Sequence, residues 1–394
     1  MQEFKKIFTF KEWPETLRYL ALATFLMSVA MGLRQTSFTN FVNDLGIQAS
    51  QLGWIESIRE IPGLLTVFMA MLTYFVTESL LAAISLLILG GGMFFYSVST
   101  NFSWLVLASV TYSIGFHLFF PLRDSMALKL GTKEEGGKQL GRMGSIGALA
   151  SLVGMASVIG LSKVTDYRTI FIIATISGLL AGAVMFRMPK PAIHLRPRTL
   201  VFKRRYLYYY ILTFLSGCRR HIFTIFAPFV LVNIFEVNLT TMAILMTINQ
   251  LLNIYARPKI GKLIDATGEK LALTINYGTL IFVFLGYAFI NILPVLFLLY
   301  IIDNICFGFN MAVSTYLHKI CPGEDLSPSL AMGSTINHIA AIFIPIIGGA
   351  LWDQFGYQAA FLMGAVIVSS SLIITFLIKD FSRGSRDRLT TSQS

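Results

Sequence analysis

Three ionisable residues stand close together in an apolar run of the sequence. Glu56, Arg59 and Glu60 come directly before Pro62 and Gly63. Residues three and four apart share a face of a helix, so all three side chains can reach one space. Burial raises the pKa of a carboxylate and a nearby guanidinium group lowers it, so the pKa can be shifted in either direction. Proton coupling needs a group of this kind. We predict that Glu56 or Glu60 takes up a proton. The alternative is a structural ion pair that locks this helix to a neighbour.

A second charged run lies within another apolar stretch. Arg219, Arg220 and His221 stand about 20 Å along a helix that begins near Tyr206, at 1.5 Å per residue. Adjacent residues of a helix point about 100° apart, so at most two of the three can face one cavity squarely. The third then needs a partner between helices.

The arginines predict the charge of a ligand. Arg34 adds a further guanidinium group in the first apolar run. Guanidinium groups bind carboxylate, phosphate or sulfonate groups through paired hydrogen bonds, which favours an anionic solute. The alternative is that Arg34 and one arginine of the second run neutralise the buried carboxylates.

Further polar residues extend this pattern. Asp303 and Asn310 are seven apart on one helix face, and Asn310 occupies the position that His117 has in the first half. Asn249 lies near the repeat position of Arg59. Such residues line a cavity or act as glue between helices, and the sequence leaves both open. The predicted substrate-binding residues are Arg34, Arg59, His117, Arg219, Arg220, His221, Asn249, Asn310 and Asn337, and the predicted proton-coupling residues are Glu56, Glu60 and Asp303.

Motifs of enzymes and ATP-driven pumps are missing from the sequence. We find no phosphate-binding loop, no zinc-ligand spacing and no nucleophile motif, so we predict no catalytic residue, no metal and no cofactor. Cys218, Cys306 and Cys321 have neither metal-ligand spacing nor a paired framework. The net charge of +11 comes from residues between apolar runs, so orientation in a membrane explains it better than nucleic acid does.

The composition places these residues in a membrane protein. Of 394 residues, 55% are hydrophobic and 13% charged, against about 25% charged in an ordinary soluble domain. Runs such as 80–97 and 271–290 are long enough to cross about 30 Å of hydrocarbon as helices. Hydropathy and breaker residues predict spans at 17–42, 51–75, 80–98, 103–128, 143–163, 169–187, 206–232, 240–260, 271–291, 295–320, 330–350 and 358–378.

A basic, proline-rich segment divides these twelve spans. Arg187 to Arg205 contains Pro189, Pro191 and Pro197 and seven Lys and Arg residues, which excludes a continuous helix in hydrocarbon. We predict an N-terminal six-helix bundle at 1–187, a cytoplasmic linker at 188–205 and a C-terminal six-helix bundle at 206–394. Lys and Arg concentrate in the segments that lie on the same side of the membrane as the linker. Both termini are therefore predicted to be cytoplasmic.

The two halves repeat each other. Gly115-Phe116 followed by Met143-Gly144-Ser145 matches Gly308-Phe309 followed by Met332-Gly333-Ser334 at similar spacing. Duplicated six-helix units joined by a linker are one way in which secondary transporters are built.

The chain resembles the major facilitator superfamily over nearly its whole length. The segment from Gly261 to Lys270, GKLIDATGEK, is similar to that family's cytoplasmic signature. The resemblance implies a conformational latch formed by Gly261, Asp265, Gly268 and Lys270. The matching loop of the first half, near Glu78, lacks the aspartate and the basic residues.

The resemblance implies a twelve-helix, multi-pass membrane fold of two pseudo-symmetric bundles that work by alternating access. With the charged residues, it predicts a monomeric, proton-coupled secondary transporter of a small organic anion in the plasma (inner) membrane, with the lipid bilayer as a further partner. One alternative is efflux of lipophilic drugs or lipids by proton antiport. A second is a membrane sensor that transports nothing.

Overall fold

The structure is a computed structural model that describes residues 13–65, 72, 75–129, 136–189 and 202–379. Regular elements in these ranges are helical. The helices are α1 (Glu15–Asp44), α2 (Ala49–Leu64), α3 (Glu78–Val98), α4 (Phe102–Lys129), α5 (Gly136–Leu161), α6 (Tyr167–Phe186), α7 (Leu207–Asn233), α8 (Leu239–Thr267), α9 (Glu269–Phe289), α10 (Leu293–Cys306 and Asn310–Ile320), α11 (Gly323–Phe355) and α12 (Tyr357–Leu377). This confirms the predicted all-helical membrane fold.

Eleven of the described helices are long and apolar enough to cross a membrane. The twelfth, α2, has 16 described residues. The predicted second span, 51–75, continues into residues 66–71 and 73–74, which lie outside the described part of the chain. Most of the predicted linker, residues 190–201, also lies outside it.

The described chain forms two compact units. The N-terminal unit contains residues 13–47, the described residues of 58–189, and residues 238–247; the C-terminal unit contains 48–57, 202–237 and 248–379. Each unit therefore takes in a short helical segment from the other half of the sequence.

In the N-terminal unit, α1 packs against α5 and α6, and α3 packs against α4 and α6. Gly32 of α1 and Gly154 of α5 bring two backbones into direct contact. A Cβ on Gly154 would lie 3.1 Å from the Cα of Gly32 and would overlap the carbonyl oxygen of Val29. Small residues at helix interfaces in membranes allow this close van der Waals packing.

In the C-terminal unit, α7 packs against α11 and α12, and α9 packs against α12. Aromatic rings fill the space between them. Phe223 of α7 meets Tyr287 of α9 at 5.3 Å between ring centroids, and Tyr287 stacks on Phe361 of α12 at 4.9 Å. Burying these large rings fixes α7 and α9 in the core of the unit.

Helix α10 differs from the continuous span predicted at 295–320. Its two arms are joined by a 3₁₀ turn at Phe307–Phe309. Gly308 at the centre of this turn lowers the local cost of leaving α-helical geometry. The turn places Asp303 and Asn310 on different arms of the helix.

Candidate functional site

Charged residues of α2 meet polar residues of α4 in the N-terminal unit. Arg59 Nη2 lies 2.9 Å from Glu60 Oε1, and these side chains are 21% and 11% exposed. Ser113 donates a hydrogen bond to the backbone carbonyl of Arg59, and its Oγ lies 2.9 Å from His117 Nδ1. Ser113 and His117 share a face because they are four apart. A ring nitrogen of His117 and a carboxylate oxygen of Glu60 lie within 4.8 Å of each other. The unit thus brings the Glu60 carboxylate and the His117 imidazole close together.

Arg34 of α1 is held among aromatic rings in the same unit. Its Nη2 donates to Tyr96 Oη at 2.9 Å, and Tyr96 Oη lies 2.7 Å from Ser109 Oγ. The guanidinium carbon lies 4.3 Å from the Phe38 ring centroid and 4.7 Å from that of Tyr112. Cation–π contacts and the tyrosine hydroxyl keep this charge, only 7% exposed, inside an apolar unit.

Arg219 and Asp303 form a buried ion pair in the C-terminal unit. Arg219 Nη1 lies 2.9 Å from Asp303 Oδ1, and both side chains are 0% exposed. Arg219 Nε, Arg219 Nη2 and Asp303 Oδ2 make no hydrogen bond in the described part of the chain. Phe307 covers the guanidinium group at 4.2 Å. Buried charges normally satisfy their remaining hydrogen bonds, so this half-satisfied pair is a candidate for binding and proton exchange.

Polar contacts continue beside this pair. Ser216 Oγ, three residues before Arg219 on α7, donates to Asn310 Oδ1 at 2.8 Å. The Asn337 amide nitrogen packs against Gly217, and a Cβ there would approach it to 2.8 Å. The structure thus brings two predicted substrate-binding residues, Asn310 and Asn337, beside α7.

The remaining predicted residues are more scattered. Glu56 is buried on α2, one turn before Glu60. His221 is buried on α7 and Arg220 is exposed. Asn249 is buried on α8, and neither atom of its amide group is hydrogen-bonded within the described residues. None of these contacts tests substrate binding, which stays a prediction.

The predicted latch residues lie at the junction of α8 and α9. Gly268 has φ +83°, which favours glycine, and separates the two helices. Gly261 is partly exposed and Asp265 is exposed. Lys270 Nζ donates to the carbonyl oxygen of Phe376 at 2.7 Å, where positive charge stabilises the end of α12. The latch role remains a prediction.

Two glutamate–lysine pairs escaped the sequence analysis. Lys129 Nζ at the end of α4 lies 2.8 Å from Glu78 Oε1 at the start of α3. Lys319 Nζ at the end of α10 lies 2.7 Å from Glu269 Oε1 at the start of α9. Both glutamates are buried. The pairs span 51 and 50 residues, a repeat that could have identified them.

A third cluster, also missed, surrounds Asp325 near the start of α11. Lys203 Nζ donates to Asp325 Oδ1 at 2.7 Å, Tyr206 Oη donates to Oδ2 at 2.5 Å, and Arg205 also contacts Oδ2. The hydrogen bond from Lys203, followed by those from Tyr206 and Arg205, lowers the pKa of Asp325 to about 2. This cluster ties the residues that precede α7 to α11.

Comparisons with known proteins place the fold in a family. The model of the Major Facilitator Superfamily matches residues 20–318. A search of curated proteins found no match.

Solved structures of transporters share the fold. A mutant of the nucleoside transporter NupG aligns with a TM-score of 0.79 at 15% identity, covering 92% of this chain and 99% of that one. A bacterial homologue of the human lysosomal transporter Spinster, inward-facing and occupied, gives 0.76 at 14%, covering 92% and 95%. The human organic anion transporter MFSD10 gives 0.63 at 12%, covering 92% and 100%.

At these identities the structures establish the fold alone, whereas the family model covers most of the sequence. The chain therefore belongs to the major facilitator superfamily and is a multi-pass membrane transporter.

Proposed function

We propose that this transporter couples the movement of a small organic anion to that of protons. The observation that carries the proposal is the Arg219–Asp303 pair, which is fully buried and joined by one hydrogen bond. The unbonded Nε and Nη2 atoms of Arg219 form the edge with which a guanidinium group binds a carboxylate or phosphate group.

Protonation of Asp303 would cancel its charge and leave Arg219 as a buried cation. Removing one member of a buried pair costs about 3–5 kcal/mol. An anion bound to the Nε and Nη2 atoms of Arg219 would offset that cost. Because linkage is reciprocal, protonation of Asp303 and binding of the anion then favour each other. Proton and anion would be carried together.

The cluster of Arg59, Glu60 and His117 supports a second proton-binding position in the N-terminal unit. The Glu60 side chain is 11% exposed and is held against Arg59 at 2.9 Å. Histidine changes charge near physiological pH, and His117 lies close to this carboxylate. Glu60 and His117 would therefore be the two groups that share a proton, and Arg59 balances the charge of Glu60 whenever Glu60 is ionised.

Uptake into proteoliposomes tests the proposal. We would compare gluconate, succinate and methanesulfonate with a sugar, an amino acid and a lipophilic cation, with and without an acidic exterior. We expect an acid gradient to drive accumulation of an anion in the wild type. Asp303→Asn should retain anion exchange but lose accumulation, and Arg219→Gln should lose both.

The matched control is Glu269→Gln, since Glu269 is also a buried, paired carboxylate but lies away from Arg219. It should retain accumulation. Anion uptake that ignores the pH gradient in the wild type would contradict proton coupling. Transport of the lipophilic cation alone would favour drug efflux. Stabilisation by a ligand without any flux would favour a sensor.

We also propose a monomer in the plasma (inner) membrane with cytoplasmic termini. Basic residues at the end of α4, before α7, at the start of α9 and at the end of α10 support this orientation, because alternating spans put these ends on one side. With the three native cysteines replaced by alanine, a Ser394→Cys variant should react with a membrane-impermeant maleimide only after cells are opened. Labelling of intact cells would place the C-terminus outside and contradict the proposed orientation.

A further inference from the structure

Helix α7 contacts both arms of α10, one on each side of the 3₁₀ turn at Phe307–Phe309. Arg219 pairs with Asp303 on the first arm at 2.9 Å, and Ser216 donates to Asn310 on the second arm at 2.8 Å. Ser216 and Arg219 are three apart, so they project from one face of α7. This face of α7 therefore bridges the turn and fixes the angle between the two arms.

Phe307 touches both members of the buried pair. Its ring lies 4.2 Å from the guanidinium carbon of Arg219, and its backbone N–H donates to the carbonyl oxygen of Asp303. A cation–π contact depends on where the guanidinium group lies over the ring. Phe307, the first residue of the turn, is therefore in contact with both Arg219 and Asp303.

The turn itself is three residues long and has 3₁₀ geometry. It contains no proline, and Gly308 carries no side chain that would lock it. The end of the Ile260 side chain fills the space beside Gly308, where a Cβ would come within 2.6 Å of it. Short 3₁₀ segments within helices often mark hinges.

We propose that this turn is a hinge whose angle is set by the protonation of Asp303, with Phe307 as the positioning residue and the Ser216–Asn310 hydrogen bond as the second restraint. The inference rests on the proposed role of Asp303 as a proton site. With Asp303 charged, Arg219 holds the first arm. With Asp303 neutral, Arg219 and Phe307 shift and only the Ser216–Asn310 bond still holds the second arm.

The charged and titratable groups around Asp303 are compatible with this switch. Arg219 faces it from α7, Tyr287 from α9, and Tyr300 and Cys306 from α10 itself. Helix α12, which packs on α9, contributes the apolar ring of Phe361. Among the described residues, no second carboxylate interacts with Asp303. One proton thus decides the net charge of the pair.

Cys306 gives a direct test because it precedes the turn and is buried. In the full chain carrying Cys218→Ala and Cys321→Ala, it is the single remaining cysteine of the three in the sequence. Its reaction with N-ethylmaleimide in nanodiscs needs no substrate. Ser216→Ala removes the second restraint without changing any charge, so we expect labelling on the order of 10-fold faster.

Phe307→Leu and Asp303→Asn should also accelerate labelling. The control is Thr224→Ala, because Thr224 lies on α7 but bonds only to the backbone of its own helix among the described contacts. It should label like the parent chain. Size-exclusion profiles would identify variants that fail to fold.

Unchanged labelling in folded Ser216→Ala and Phe307→Leu would overturn the hinge. Faster labelling in Asp303→Asn alone would also overturn it, because loss of the nearby negative charge by itself makes the thiol more reactive. Transport without proton coupling would refute the proposed function while leaving these labelling results intact. The two failures are therefore distinguishable.

Discussion

The buried pair of the C-terminal unit makes a quantitative prediction. Arg219→Met leaves Asp303 buried without its partner, and Asp303→Leu leaves Arg219 buried without its partner. Because both side chains are 0% exposed, each single substitution should lower the free energy of unfolding by about 3–5 kcal/mol. The double variant replaces both charges by apolar groups and should lose far less, since such replacements are often neutral or stabilising. The expected coupling energy is therefore about 3 kcal/mol or more.

The assay is unfolding in mixed micelles with increasing SDS, followed by tryptophan fluorescence. The comparison cycle uses Glu269→Gln and Lys319→Gln, whose pair is similar in distance but has a lysine side chain 41% exposed. Solvent screening should limit that coupling to about 1 kcal/mol. If the double variant of Arg219 and Asp303 lost as much stability as the two single variants combined, the coupling energy would be zero. That result would refute a stabilising interaction between the two side chains.

Further predictions concern residues outside this pair. The pKa of Asp325 is about 2 in the folded state and near 4 in an unfolded chain, so its contribution to stability is present above about pH 4 and is lost as the pH falls through about 2. The advantage of the wild type over Asp325→Asn in thermal unfolding should shrink over that range, and an advantage that stays constant down to pH 2 would contradict the ionised cluster. Arg34→Lys keeps the charge but loses the planar contacts with aromatic rings and the hydrogen bond to Tyr96. It should therefore lower the melting temperature of the purified protein. An unchanged melting temperature would mean that these contacts do not stabilise the fold. Gly154→Ala inserts a methyl group between two backbones and should cost about 1–3 kcal/mol in SDS unfolding, and a neutral result would mean that α1 and α5 can separate.

Local properties of the sequence predicted the fold class. Hydropathy and length identified the spans because a helix in hydrocarbon must satisfy its own backbone and present apolar side chains, whatever its neighbours are. The repeat of Gly115 and Gly308 and the GKLIDATGEK segment led to the family, which the match to residues 20–318 confirms. The break in α10 was missed because Phe307-Gly308-Phe309 is as apolar as a continuous span.

The sequence also selected the residues of the candidate site, since any charge within a span is a candidate. It left their partners open. From the sequence alone, Arg219 had several possible partners, including Glu56, Glu60 and Asp303. Only the packing of α7 against α10 decided that Asp303 is the partner.

The same distinction holds at the helix ends. The sequence placed Glu78, Lys129, Glu269 and Lys319 near the ends of helices, and only the tertiary structure joined them into two equivalent pairs. Periodicity and hydropathy determine where a helix runs and which of its residues share a face. The neighbour that this face meets depends on contacts between residues about 50 to 120 positions apart, such as those of Asp325 with Lys203 and Arg205. No local pattern in the sequence contains that information.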